Sequence, residues 1–324
     1  MRIFLTGASS FIGSALIPVL IEQKHILTCA VRRKTNHIAD LCNAGCRIWY
    51  FDVLDGKTDF RPALDNIDVV IHLAARVHVR SKSYIGLQRE FRMVNADGTQ
   101  NLAEQAAQKK VKRFIFISSM GVNGKSTKNC DVFNEENDES PYNAYTYSKL
   151  EAEKSLRTLE AKTGVEVVIL RPPLVYGPGV KANFLKLLHL VGSGIPLPFA
   201  GIKNKRSFIA IDNLVDVIAD CVVHEKAAGE TFFVCDDSPL STPEIIEKIS
   251  REMGFRPRLF YFPSFFLKYG FFLIHHQEMY ESLWENMAAD SKKARECLGW
   301  RPRMTVDEGI RKTVQWYLGN KSAK

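Results

Sequence analysis

Six short apolar runs recur through the first half of the chain: Ile3–Thr6, Ile26–Val31, Arg47–Phe51, Val69–Leu73, Phe114–Ser118 and Val165–Leu170. All are rich in Ile, Val and Phe at successive positions, as strands buried on both faces require. Helix-period segments at 11–23, 84–109 and 142–163 stand between them. That rhythm predicts a parallel sheet with helices on both sides. After Arg171-Pro172-Pro173 the rhythm breaks, and Pro and Gly punctuate more often. Two capping boxes, Ser241-x-x-Glu244 and Thr305-x-x-Glu308, then mark helices. The reading is a first domain over 1–170 and a smaller lobe over most of 171–324, with some segments returning to the sheet.

The first run leads straight into Thr6-Gly7-Ala8-Ser9-Ser10-Phe11-Ile12-Gly13 and then a helix. Gly7 permits a sharp turn, and Gly13 permits close packing of helix on strand. The helix N-terminus presents unpaired N–H groups and partial positive charge to a pyrophosphate. Strand, turn, helix and second strand in this order point to a dinucleotide site. Ser10 stands where a glycine is frequent, and its hydroxyl is placed to donate to phosphate. Pro18 is expected to kink the helix or remove one hydrogen bond. Roughly 19 residues past Gly13, where an NAD site carries an acid for the ribose 2′-hydroxyl, the chain has Arg32-Arg33-Lys34 instead. Two arginines suit a 2′-phosphate, so NADP(H) is the preferred cofactor and NAD(H) the alternative. Asp52 is either an acceptor for the adenine amino group or an ordinary strand-end acid.

Tyr145 and Lys149 are four apart and share one face of a helix. A free phenol, with a pKa of about 10, is too weak a base at neutral pH, and a nearby ammonium is expected to favour its ionised form. About 26 residues upstream, the run Phe114–Ile117 delivers Ser118-Ser119 to the strand end where open α/β sheets bind ligands. Ser119 would bond the reacting oxygen while Tyr145 exchanges its proton. Asn95, in the long preceding helix, is either a polar group at a helix bend or a support for catalysis.

Composition narrows the class. The 324 residues are 46% apolar and 25% charged, with 44 Lys+Arg against 36 Asp+Glu for a net +8. This is a globular balance, not a disordered, collagen-like or coiled-coil one. The basic residues are dispersed without an aromatic-plus-basic stripe, so no nucleic acid is expected. Seven cysteines form no C-x-x-C pair and no Cys/His cluster at zinc spacing, which fits a reducing cytoplasm and no metal. No targeting segment is visible. The stretch Leu259–Ile274 is interrupted by Pro263, Lys268 and Gly270, and a span needs about 20 apolar residues. A buried amphipathic helix is expected there, with weak membrane-surface contact as the alternative. The acidic run Glu135–Glu139 reads as a solvated loop, and His275-His276 as packing or surface residues.

Taken together, these residues resemble the extended short-chain dehydrogenase/reductases of the NAD-dependent epimerase/dehydratase kind. The likeness adds His72-Leu73-Ala74-Ala75, Arg171–Pro178 and Leu298-Gly299-Trp300 to the residues above. It implies a Rossmann-type doubly wound parallel sheet with a smaller C-terminal substrate-binding lobe, and Ser119, Tyr145 and Lys149 as the catalytic trio. It implies cofactor contacts from Gly7, Ser9, Ser10, Phe11, Ile12, Gly13, Arg32, Arg33, Asp52, Val53, Leu73, Ala74, Ala75, Asn95, Tyr145, Lys149 and Pro172. Substrate contacts fall to Ser119, Tyr145, Asn183 and Arg206, the last two at the diphosphate of a UDP-sugar. A homodimer is compatible with the likeness, and Met287 falls at a wall of the sugar pocket.

Within such a family, 4,6-dehydratases follow the hydroxyl residue with Asp-Glu, whereas Met120-Gly121 follow Ser119 here. Reduction of a 4-keto sugar and 4-epimerisation are left. The basic pair tilts the expectation to reduction, because only a reductase consumes reduced cofactor. The segment Ala75–Val79 is similar to reductases that convert UDP-2-acetamido-2,6-dideoxy-4-hexulose to UDP-N-acetylquinovosamine for surface polysaccharide such as O-antigen in lipopolysaccharide. The alternative is a UDP-glucose or UDP-N-acetylglucosamine 4-epimerase, and a non-catalytic NADP(H)-sensing scaffold is more remote.

Overall fold

A computed structural model describes residues 1–32, 36–77, 83–127, 132–263, 265, 267, 281 and 283–322. The expected strands all form, each within a residue of its sequence bounds: β1 Arg2–Thr6, β2 Ile26–Val31, β3 Arg47–Tyr50, β4 Val69–His72, β5 Arg113–Ile117 and β6 Glu166–Arg171. They pair in parallel in the order β3-β2-β1-β4-β5-β6, and Thr231–Phe233, a later strand, adds itself outside β6.

Alternation along each strand builds two cores. Ile3, Leu5, Val69 and Ile71 face one side, against helices α1 (Phe11–Glu22) and α7 (Ile211–Val223). Phe4, Val70, Phe114, Phe116, Val167 and Ile169 face the other, against α4 (Gly98–Gln108) and α5 (Ala144–Thr163). Both faces are buried, which is why the runs look nearly uniformly apolar, with polar exceptions such as Thr6 and His72 hydrogen-bonded to each other. Pro18 is accommodated inside α1 without ending it.

Between β2 and β3 lies α2 (Asn36–Asn43), and α3 (Tyr84–Phe91) begins the segment read as one helix over 84–109. That helix is not uniform. Arg92–Asp97 form a π-helical turn, and α4 continues beyond it.

The lobe has its own core of Tyr176, Phe184, Leu188, Phe208, Ile246 and Val314. It is built on a small parallel pair, β7 (Leu174–Tyr176) with β8 (Phe208–Ala210), and on helices α6 (Ala182–Gly192), α8 (Thr242–Glu252) and α10 (Val306–Ser322), whereas α9 (Lys292–Leu298) packs on the first core of the main sheet. Both capping boxes close: Ser241 N donates to Glu244 at 2.7 Å, and Thr305 N to Glu308 at 2.8 Å. Residues 171–324 are not confined to the lobe, since α7 covers α1 and β9 (Thr231–Phe233) completes the main sheet.

The first residues of the stretch from Leu259 are not helical, whereas Phe265 and Leu267 are. Leu197 N and Ala200 N donate to the carbonyls of Arg258 and Phe260, so the chain there is extended, and Pro257 and Pro263 restrict it further. Phe260 and Tyr261 are 44% and 72% exposed. Positions 264, 266 and 268–274, together with His275 and His276, lie outside the described residues. Among the described residues no helix is long and apolar enough to cross a membrane.

Candidate active site

The turn after β1 has the geometry its glycines predict. Gly7 adopts φ +74°, and a Cβ on it would lie 2.8 Å from Ala74 N. A Cβ on Gly13 would overlap the Gly7 carbonyl oxygen. Ser10 caps α1: its Oγ accepts from Gly13 N at 3.0 Å, and its N–H donates to Gly7 O at 2.9 Å. The hydroxyl proton is not used in that cap. Ser9 is exposed, with Phe11 and Ile12 half-buried in the first turn of α1. These residues leave a glycine-walled cradle beneath a helix N-terminus, which fits a dinucleotide pyrophosphate.

Several of the other expected cofactor residues follow the carboxyl ends of parallel strands. Arg32 is exposed just after β2, and Asp52 and Val53 are exposed beyond β3. Leu73, Ala74 and Ala75 follow β4, with Leu73 N donating to Thr6 O at 3.2 Å. Arg33, the second half of the proposed 2′-phosphate clamp, lies outside the described residues, as do His78 and Val79.

A chain of buried bonds runs beneath this rim. Thr6 Oγ1 meets His72 Nδ1 at 2.7 Å, His72 Nε2 meets Thr99 Oγ1 at 3.0 Å, and Thr99 donates to the Asn95 carbonyl at 2.7 Å. Because Thr99 spends its proton on Asn95, it accepts from His72, which fixes Nε2–H and leaves Nδ1 to accept from Thr6. Burial pushes the His72 pKa down to about 3, with the Lys149 charge adding to the effect.

The π-turn aims the Asn95 side chain inward. Its Oδ1 accepts from Arg76 N at 2.7 Å, and its Nδ2 donates to Arg76 O and Ser148 Oγ, each at 3.0 Å. Asn95 thus pins the loop beyond β4 to α5. The structure places Asn95 at a helix irregularity, as one of its two readings expected.

Helix α5 starts from a closed capping box between Asn143 and Thr146. Lys149 is buried, donates to Ile117 O at 2.7 Å and lies 4.4 Å from the centre of the Phe116 ring. Two residues beyond Ile117, the half-buried Ser119 accepts from Gly121 N at 3.2 Å, and Met120 N is tied to Pro172 O at 3.0 Å. Gly121 packs on Thr146, so the Ser119 loop and the start of α5 are in contact.

The electrostatics correct one expectation. Tyr145 is not drawn toward ionisation: burial pushes its pKa up to about 12, with Tyr142 adding to the rise. Lys149 is pushed down to about 7 by burial, against the opposing pull of Glu153. Removal from water thus disfavours the charged form of each group in the protein alone.

Sequence reasoning passed over Glu153, although it follows Tyr145 and Lys149 at helical spacing. Its carboxylate receives Arg171 Nε at 3.1 Å and Nη2 at 2.5 Å, and Arg171 also donates to Asn123 at 2.8 Å. The acidic run is less solvated than expected, since Glu135 accepts from Phe233 N at 2.7 Å and Glu139 reaches Arg171 at 3.3 Å. In the lobe, Arg206 donates to the Glu285 carbonyl at 3.0 Å and lies 3.7 Å from the Met287 sulfur, both neutral groups. Burial lowers its pKa. Asn183 is exposed at the start of α6, and no hydrogen bond joins it to Arg206.

The sequence profile of the NAD dependent epimerase/dehydratase family matches residues 3–235. The chain belongs to this family. Among curated members, the UDP-glucose 4-epimerase of Vibrio cholerae is 40% identical over 320 residues, covering 98% of this chain and 95% of its own. The dTDP-glucose 4,6-dehydratase of Neisseria meningitidis serogroup B is 28% identical over 348 residues, covering 99% and 94%. Among solved structures, a UDP-glucuronic acid 4-epimerase from Bacillus cereus in complex with NAD superposes with a TM-score of 0.80 at 22% identity, covering 100% of this chain and 99% of that one. That last likeness is one of fold, and it matches the doubly wound sheet described above.

Proposed function

We propose that this family member interconverts the C4 epimers of a UDP-hexose, with NAD as its cofactor. The observation that carries the reading is the docking of α5, which bears Tyr145 and Lys149, at the carboxyl end of β5, with Lys149 on Ile117 O and the Ser119 loop packed on the start of the same helix. The 40% identity to a UDP-glucose 4-epimerase along nearly the whole chain supports epimerisation over the reduction suggested by Arg32-Arg33.

In this reading Ser119 Oγ bonds the sugar O4, and Tyr145 takes and returns its proton. Lys149, anchored on Ile117 O, reaches the ribose of the cofactor. Gly7 to Gly13, Leu73–Ala75 and Pro172 line the cofactor's course, and Arg32 stands at the adenosine end. A bound nicotinamide supplies hydride exchange at C4 and, when oxidised, a positive charge. Any cation beside Tyr145 lowers its pKa from about 12 toward the working range. Arg206, which donates to the Glu285 carbonyl and lies beside the Met287 sulfur, offers a planar fork to the diphosphate, with Asn183 at its edge. Dehydration is disfavoured because Met120 is a buried apolar side chain and Gly121 has none, so no acid pair follows Ser119.

A second reading, NADPH-dependent reduction of a 4-keto UDP-sugar, is favoured by exposed Arg32 standing where a ribose-binding acid would be. One experiment separates them. Conversion of UDP-glucose or UDP-N-acetylglucosamine to its C4 epimer without added reductant supports epimerisation. Loss of nicotinamide absorbance only with UDP-2-acetamido-2,6-dideoxy-4-hexulose and NADPH reverses the choice. Tyr145→Phe is expected to lower either activity by about 10²-fold or more, and full retained turnover would refute the proton assignment.

A further inference from the structure

Tyr142 stands at the entrance to α5 with 43% of its surface exposed. Its backbone is held: the N–H donates to Thr146 Oγ1 at 3.0 Å, alongside the Asn143 capping box. Its ring edge lies over Gly121. A Cβ built on that glycine would be 3.4 Å from Tyr142 Cε1 and 3.4 Å from Ser119 Oγ. The ring therefore flanks the Ser119 hydroxyl across a residue with no side chain of its own.

The phenol also lies within electrostatic range of two groups that belong to different parts of the molecule. It adds to the upward shift of Tyr145 on α5, and it favours the charged form of Arg206 ahead of β8 in the lobe. A single side chain is thus placed by Ser119 and Tyr145 on one hand and by Arg206 on the other. The part of a UDP-hexose that spans those two places is the hexose itself, between its reacting carbon and its phosphate.

The geometry points to Tyr142 as a substrate-binding residue whose hydroxyl donates to the hexose between the carbon facing Tyr145 and the phosphate facing Arg206. This rests on the UDP-hexose reading above. A phenol on a fixed backbone loses little freedom on binding, and the glycine at 121 keeps its ring close to the Ser119 loop. Removal of the hydroxyl alone should then weaken the sugar's contact without disturbing the nucleotide's.

The test uses the full chain, its Tyr142→Phe variant, and calorimetric titration with UDP-glucose, UDP-N-acetylglucosamine and UDP. The variant keeps the ring, and an unchanged thermal midpoint shows that it folds. Its affinity for the UDP-hexoses is expected to fall about two- to tenfold, the worth of one neutral hydrogen bond, with UDP binding unchanged. Under turnover, KM rises by the same factor and kcat stays within about twofold. Equal binding of the UDP-hexoses by parent and variant overturns this inference alone. Equal weakening of UDP and UDP-hexose overturns it too, because the hydroxyl would then serve the nucleotide. A parent chain that binds neither overturns the UDP-hexose reading and this inference with it.

Discussion

His72 gives the sharpest physical prediction, because its environment leaves no place for a second proton. Both ring nitrogens are engaged by threonine hydroxyls in a buried site, and its pKa is lowered from 6.5 to about 3. Imidazole in the unfolded chain titrates normally, so the folded form is penalised as acid is added. The stability it allows is intact above pH 6.5 and is lost progressively as pH falls toward 3. At about 1.4 kcal/mol for each pH unit, roughly 2.5 kcal/mol disappears by about pH 4.5. The titration of Lys149, whose value is about 7, is common to parent and variant and cancels in their difference. Urea unfolding of the parent and of His72→Gln, each near pH 7.5 and pH 4.5, isolates the effect. The variant should lose roughly 2.5 kcal/mol less than the parent on acidification. Nitrogen NMR of labelled histidine should show a neutral Nε2–H ring at both pH values. Equal acid losses in the two proteins, or a His72 that titrates near 6.5, would refute the reasoning.

Other perturbations follow from the same contacts. Glu153→Gln leaves the buried Arg171 without its main counter-charge and should cost about 3–5 kcal/mol by urea unfolding, with Glu153→Leu combined with Arg171→Met recovering most of it. Gly13→Ala drives a Cβ into the Gly7 carbonyl, so nucleotide binding should drop at least about tenfold by fluorescence titration, whereas Gly45→Ala, whose added Cβ meets nothing, should leave it unchanged. Arg32→Asp should shift the ratio of NADP to NAD affinity toward NAD, and an unchanged ratio would remove Arg32 from the adenosine end.

The sheet was legible because burial on both faces leaves an unmistakable run of Ile, Val and Phe, and the glycine turn because Gly7 and Gly13 each serve a contact that no other residue permits. The π-turn at Arg92–Asp97 was not, because a single extra residue in a helical turn hardly alters apolar spacing. The Lys149–Tyr145 spacing correctly placed two groups on one face, but spacing carries no information on solvent. Whether charge or burial governs the pair depends on what packs around each group, Phe91 against the Tyr145 ring and Phe116 with the strand end against Lys149. Glu153 and Arg171 were missed as a pair because they lie on different elements, joined only when α5 docks on β6. At Phe260 and Tyr261, the start of the apolar stretch, two flanking prolines set an extended and exposed backbone path that apolar content alone did not reveal.

The return of β9 to the main sheet has a consequence for how the molecule can be divided. Ile169 N bonds to Glu230 O at 2.9 Å, and β6 pairs with β9 from Ile169 to Arg171. A chain cut at residue 170 would lose that partner and also α7, which covers α1. It would present a raw apolar strand edge, a template for pairing with other chains. The half that carries the glycine cradle is therefore no detachable cassette. Its last strand arrives only after the lobe's first helix and small sheet have been made, so the two halves must mature as one cooperative unit.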